Sequence, residues 1–135
     1  MTHLLDANAC IDHLRRGTAS PVTVRLAAAP QGSVGLCSVV VAELLYGAHR
    51  SASPAKTLPQ VRAFCGQYPS SSFDDAAAEE YGSIRAHLVR LGTPIGPNDL
   101  MIAAIALANG LILVTHNTVE FSRVPGLLLE DWQTP

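Results

Sequence analysis

Residues 99–115 constrain the fold more than any other stretch of this chain. From Asp99 to Ala108 the side chains are apolar almost all round a helical wheel, so this helix belongs in the interior. Asn109-Gly110 is a helix stop. Residues 111–115 then form a continuous apolar run of the kind found in strands buried within a parallel sheet. A buried helix feeding directly into a buried strand needs layers on either side of it, which is an α/β arrangement.

The rest of the chain alternates in the same way. Residues 3–6 read as a short strand, residues 9–16 as a helix closed by Gly17, and Pro21 opens a helix running to about residue 29. Residues 33–37 read as a second strand, with Ser38 as the N-cap of a helix over 39–48. A helix through residues 61–64 follows the segment containing Pro54 and Pro59, and residues 69–73 form a short strand. From Asp74 or Asp75 to Leu91 the apolar stripe Ala77, Tyr81, Ile84, Leu88 and Leu91 predicts a long helix, interrupted only by Gly82 at a cost of about 1 kcal/mol. Gly92 ends it, residues 94–98 form a turn that caps the interior helix, and a last strand lies around residues 127–130. The expectation is one domain over residues 1–135: an α/β fold with a central, mostly parallel twisted sheet flanked by helices on both faces.

Composition narrows the function classes. Hydrophobic residues make up 48% of the chain and charged residues 15%, which fits a packed body rather than a disordered one. The longest apolar stretch is cut by Asn109-Gly110 and is too short to span a bilayer, and the N-terminus has no basic segment before an apolar one. A cytoplasmic protein without membrane contact is expected. Cys10, Cys37 and Cys65 are widely spaced and include no CxxC pair, which favours buried structural thiols over a disulfide framework or a thiolate zinc site. The net charge of -2 does not advertise nucleic-acid binding, yet eight of the nine cations are Arg, the better bidentate phosphate ligand.

Against that background three acids sit inside apolar runs: Asp6 after Leu4-Leu5, Glu43 between Val41-Ala42 and Leu44-Leu45, and Asp99 before Leu100-Met101-Ile102. Carboxylates are rarely buried unless a positive charge joins them. In a parallel sheet ligands gather at the carboxyl ends of the strands. Asp6 ends the first strand, Thr115-His116-Asn117 ends the strand over residues 111–114, Asp99 starts the helix immediately before that strand, and Glu43 lies one turn into the helix after the second strand. All four segments can meet at one edge. A divalent cation would relieve the repulsion among such acids, and all-oxygen ligands suit Mg2+ or Mn2+, whose chemistry favours phosphodiester hydrolysis.

Each residue also has a plainer reading. Asp6 could be only a helix N-cap and Asp99 only a first-turn acid favoured by the helix dipole, whereas the apolar neighbours of Glu43 leave little room for a solvated stripe. His116 suits a general base or an exposed loop residue. Asn8, Ser38 and Thr115 fall beside the acids, either as hydrogen-bond partners or as ordinary caps. Arg85, next to the apolar stripe of its helix, could reach RNA phosphate or lie free on the surface.

Four segments in order carry a resemblance: Leu4-Leu5-Asp6-Ala7-Asn8; residues 38–47, around Glu43; residues 95–104, around Asp99; and residues 113–121, containing Thr115, Asn117 and Glu120. Together they resemble the motifs of PIN-domain ribonucleases. With Val124-Pro125-Gly126-Leu127 and Glu130-Asp131-Trp132 they look like the VapC toxins of bacterial toxin–antitoxin pairs. The resemblance implies a Mg2+- or Mn2+-dependent endoribonuclease acting on structured RNA such as transfer RNA. It implies inhibition by a cognate VapB-type antitoxin, contact with DNA only through that antitoxin, and a homodimer. Asp6, Glu43 and Asp99 match the family's acidic metal ligands. Asn117 stands where many members have a fourth acid, with Glu120 three residues on as its substitute, and Ala7 stands where the family often has a hydroxyl.

Two other functions are compatible with parts of this pattern. A haloacid-dehalogenase-like phosphatase also uses an Asp after its first strand, but wants a second Asp where this chain has Asn8, and its lysine could only be Lys56. A catalytically weak PIN-like protein that binds RNA or sequesters an antitoxin would fit the loss of an acid at Asn117. Retention of Asp6, Glu43 and Asp99 favours the enzyme.

Overall fold

Every strand is short, and every one runs parallel to its neighbours. A computed structural model describes residues 1–134. In chain order the elements are β1 (His3–Leu5), α1 (Ala7–Arg16), α2 (Pro21–Ala28), β2 (Val34–Cys37), α3 (Ser38–His49), α4 (Pro54–Cys65), β3 (Ser70–Ser71), α5 (Asp75–Arg90), α6 (Pro97–Ala108), β4 (Ile112–Val114), α7 (Thr118–Phe121) and β5 (Leu129–Glu130). The sheet order is β3-β2-β1-β4-β5. The chain therefore builds outward from β1 on one side, then crosses β1 and builds outward again on the other. That reversal lies between β1 and β4, where Leu5 pairs with Val114, so the two carboxyl ends open side by side.

Burial on both faces explains the unbroken apolar strands. Leu4, Leu5, Leu36, Leu113 and Val114 are all at or near zero exposure, and α6 buries Leu100 and the whole run from Ile102 to Ala106. Each such large side chain contributes about 1.5–3 kcal/mol by leaving water. Helix α5 packs on α6, while α1, α3 and α4 pack against one another. Asn109 caps α6 and Gly110 follows at φ 63°, a left-handed conformation that glycine adopts without steric cost.

Several details depart from the sequence reading. Ser38 is not the N-cap of α3: Cys37 holds that place in an extended conformation, and the Ser38 hydroxyl accepts the Phe73 N–H at 3.3 Å instead. Helix α4 begins at Pro54, since a proline in the first helical position is already shaped for the turn, and it continues through Pro59 at the loss of one backbone hydrogen bond. Leu91 is 61% exposed at the C-cap of α5, where the stripe rotates off the core. Strands β3 and β5 shrink to two residues each, and α6 starts two residues before Asp99. Cys10 and Cys37 are buried, Cys65 is half-buried, and all three are free. Among the described residues, no helix is long and apolar enough to cross a membrane.

Candidate active site

Asp6 is built into the end of the sheet. Its backbone N–H donates to the Val114 carbonyl at 3.0 Å, extending the β1–β4 pairing by one step. Its side chain caps α1, with Oδ1 accepting the Ala9 N–H at 2.8 Å. The capping role and the site role thus coexist, since one carboxylate oxygen is enough for the cap. Asp6 is only 4% exposed, and burial pushes its carboxyl above the usual range despite opposing hydrogen bonds from the Thr115 hydroxyl and the Ala9 amide.

The other two acids arrive from different elements and converge on the same edge. Glu43, half-buried on α3, has its pKa raised by burial first and then by the charges of Asp99 and Asp6. Its Oε1 is fully buried and has no hydrogen-bond partner among the described residues. Asp99, at the third position of α6, is pushed up to about 6, by burial first and then by Glu120 and Asp6. A first-turn acid would normally be stabilised by the helix dipole. Here desolvation and like charge outweigh that stabilisation, so the carboxylate at this position is held at a cost.

Glu120 belongs to the group as well, because the loop after β4 turns into α7. The Asn117 amide donates to Glu120 Oε2 at 2.8 Å, and the Gly96 N–H, at the N-cap of α6, donates to Oε1 at 3.3 Å. The fourth corner therefore holds an acid one turn later, with Asn117 as its clamp. Thr115 is buried, and besides Asp6 its Oγ1 accepts the Asn117 N–H at 3.0 Å. Thr115 thus ties Asp6 to the loop carrying Glu120.

Other expected members lie elsewhere. Asn8 and Ser38 are exposed, and neither hydrogen-bonds to an acid among the described residues. Arg85 lies on α5, its guanidinium 3.3 Å from the Tyr81 hydroxyl, in a groove with Tyr81, Pro97 and Leu100 that none of the four acids lines. His116 is exposed and pairs with Asp131 through Nδ1 at 2.9 Å. What the sequence reading missed is Arg15. It lines one cleft with Glu43 and another with Asn8, His116 and Asn117. The signal was present in α1, where Asn8, Ile11 and Arg15 follow helical spacing and so share a face.

The residues fit a hard divalent cation in charge and ligand type. Asp6, Glu43, Asp99 and Glu120 are coupled through their charges, none of them pairs with a Lys or Arg among the described residues, and a buried carboxylate oxygen lacks any donor there. Among the described residues, however, no three His, Cys, Asp or Glu side chains are gathered closely enough to grip one ion. An ion here would take few protein oxygens directly and keep water in the remaining positions.

Comparisons with known proteins agree with this geometry. The PIN domain family matches residues 3–127. The chain is 44% identical over 129 residues to the tRNA(fMet)-specific endonuclease VapC of Shigella flexneri, covering 96% of each. It is 33% identical to ribonuclease VapC2 of Rickettsia felis, covering 98% of each. Among solved structures, the DNA-bound VapBC of Salmonella typhimurium superposes with a TM-score of 0.91 at 37% identity, covering 98% of each chain.

Proposed function

Because this chain belongs to the PIN-domain family, we propose that it is the endoribonuclease toxin of a type II toxin–antitoxin module, cutting phosphodiester bonds in structured RNA with Mg2+ or Mn2+ as cofactor. The observation that carries this reading is the buried Oε1 of Glu43, without a hydrogen-bond partner among the described residues, on a carboxyl that also feels the charges of Asp99 and Asp6. A fold stabilised for its own sake would not leave such a group uncompensated.

A bound divalent cation would supply Lewis-acid chemistry, making water a better nucleophile and offsetting the charge that develops on the phosphate. Asp6, Glu43 and Asp99 would hold it, with Glu120 and Asn117 more peripheral. Asp6 contributes a rigid reference point, since its Oδ1 is committed to the Ala9 amide and its backbone to the sheet. Glu120 is oriented at both oxygens before substrate arrives, so its charge needs no reorganisation during the reaction. Asp99 takes up a proton more readily than an ordinary carboxyl, which makes cation binding weaker in mild acid.

The likeness to a tRNA(fMet)-specific endonuclease at 44% identity supports transfer RNA as the substrate class. The VapBC complexes of Salmonella typhimurium and Rickettsia felis, both solved with DNA, support a VapB-type antitoxin as partner, with DNA reached through it. A homodimer completes the proposal.

The test uses purified protein with total transfer RNA, with and without Mg2+ or Mn2+, and sequencing of the cut ends. Cleavage that starts with either cation and stops on chelation supports the reading. Persistence of cleavage in excess EDTA, or in Asp6→Ala, would sink the metal mechanism.

A further inference from the structure

One cleft beside the acids shares only Asn117 with the chemistry described so far. It has a volume of about 520 Å3, within the range of small-ligand sites. Asn8, Arg15 and Arg16 of α1 form one wall, His116 and Asn117 after β4 another, and Gln133 a third.

The charge in this cleft comes down to Arg15. Asp12 accepts a short hydrogen bond from the Ser20 hydroxyl and pairs with Arg16 at 3.2 Å, and Arg16 also donates to the Ala19 carbonyl at 3.0 Å. Those groups satisfy one another. Among the described residues Arg15 has no carboxylate partner and no side-chain hydrogen bond, and it stands on the ridge between this cleft and the one lined by Glu43.

Gln133 provides a second, independent observation. Its backbone N–H donates to Asp131 at 2.9 Å, yet its side-chain Oε1 is buried and has no donor among the described residues. A buried acceptor left unpaired is destabilising, and the residue that carries it belongs to the lining of this cleft. Around it stand the amides of Asn8 and Asn117 and the imidazole of His116, which Asp131 holds through Nδ1. Amides that meet base edges, a ring that stacks, and a guanidinium that grips phosphate bidentately are the means by which proteins read unpaired RNA.

We infer that this cleft is a nucleotide subsite for RNA next to the cleavage point, in which Arg15 binds a flanking phosphate and Gln133 reads the edge of the adjoining base. The inference rests on the endoribonuclease reading. Arg15 lies nine positions beyond Asp6 along α1, about 13 Å in axial rise. Helical side chains lean towards the N-terminus, so its guanidinium reaches back along the ridge to a neighbouring phosphate rather than the one being cut.

Steady-state cleavage of a transfer RNA stem-loop by wild type, Arg15→Gln and Gln133→Leu tests this, with melting temperature as the check on folding. Arg15→Gln should raise KM about tenfold while kcat at saturating RNA stays within about twofold, the expected loss of one charge-assisted contact. It should also lower the slope of log affinity against log salt by about one, measured by RNA binding in EDTA. Gln133→Leu should change which base flanks the cut, read by sequencing the ends. Unchanged KM and salt slope for Arg15→Gln overturn the inference, and so does a fall in kcat with KM unaltered. Unchanged RNA cleavage with weakened binding of an antitoxin peptide also overturns it, assigning the cleft to a protein partner. If the wild type cuts no RNA with either cation, the endoribonuclease reading itself falls, and the subsite with it.

Discussion

Two groups of acids flank the central strands, and the protein treats them in opposite ways. At β5, Glu130 accepts from Trp132 Nε1 at 2.9 Å and pairs with His3 at 3.2 Å, while Asp131 gathers His116, Thr134 and the Gln133 amide. Those contacts hold the Glu130 and Asp131 carboxyls below the usual range. Across the sheet edge, Asp6, Glu43 and Asp99 are all pushed above it by burial, with their neighbours' charges adding to the shift. One corner is wired for stability. The other is kept short of positive charge, which marks it as the place where something else must bring it.

The sharpest way to break this contrast is to remove an acid from the strained corner. Asp99→Asn should lower RNA cleavage by at least about 100-fold, as loss of a charge aimed at the reacting phosphate typically does. The same substitution should leave the cation-free protein at least as stable, because a repelling charge has gone. A marked fall in melting temperature without metal would instead make Asp99 a structural cap.

Next in size is the response to cation. Mn2+ at about 100 times its dissociation constant should stabilise the wild type by about 2.7 kcal/mol in a denaturation experiment, and Asp99→Asn by clearly less. Equal stabilisation of both proteins would place the ion elsewhere.

The satisfied corner should behave the other way. Glu130→Ala leaves the indole N–H of the buried Trp132 without its acceptor and should cost about 1–2 kcal/mol in urea denaturation, with kcat unchanged. No loss of stability would mean that Glu130 is paired only incidentally.

The smallest effect is on pH dependence, and it has opposite signs at the two corners. Asp99 titrates at about 6 in the folded chain against 3.8 for a free side chain, so the folded state keeps its proton to higher pH. Its favourable contribution is complete below pH 3.8 and is lost as pH rises to about 6, an effect on the order of 1 kcal/mol after allowance for solvent screening. Glu130, whose pKa is lowered, contributes above its ordinary range and loses that contribution as pH falls. Cation-free Asp99→Asn should therefore show a shallower decline between pH 4 and 6 than wild type in chemical denaturation, with Asp6 and Glu43 still contributing. An unaltered profile would contradict the assignment.

Much of the fold was legible because it rests on local signals. Gly17, Gly92 and Asn109-Gly110 end helices where the sequence says they should, and the apolar runs become the inner strands β1, β2 and β4. The failures fall where tertiary contacts compete with propensity. Ser38 has the right chemistry for an N-cap, but Cys37 already holds the turn and the hydroxyl is drawn to Phe73 across the fold. Asn8 sits two residues from Asp6 yet faces another cleft, since helical rotation separates neighbours in sequence.

For the site, the sequence by itself determined which carboxylates are out of place: an acid inside an apolar run needs an explanation wherever the chain folds, and Asp6, Glu43 and Asp99 are in such runs. It also determined that their segments end or begin at strand termini, which in a parallel sheet share one edge. Only the tertiary structure decided how those acids are balanced. Whether a carboxylate gains a donor, a like charge or nothing depends on groups far away in the chain, such as Thr115 for Asp6, Asn117 and Gly96 for Glu120, and no partner at all for Glu43 Oε1. Burial and proximity set those energies, and neither is a property of local sequence.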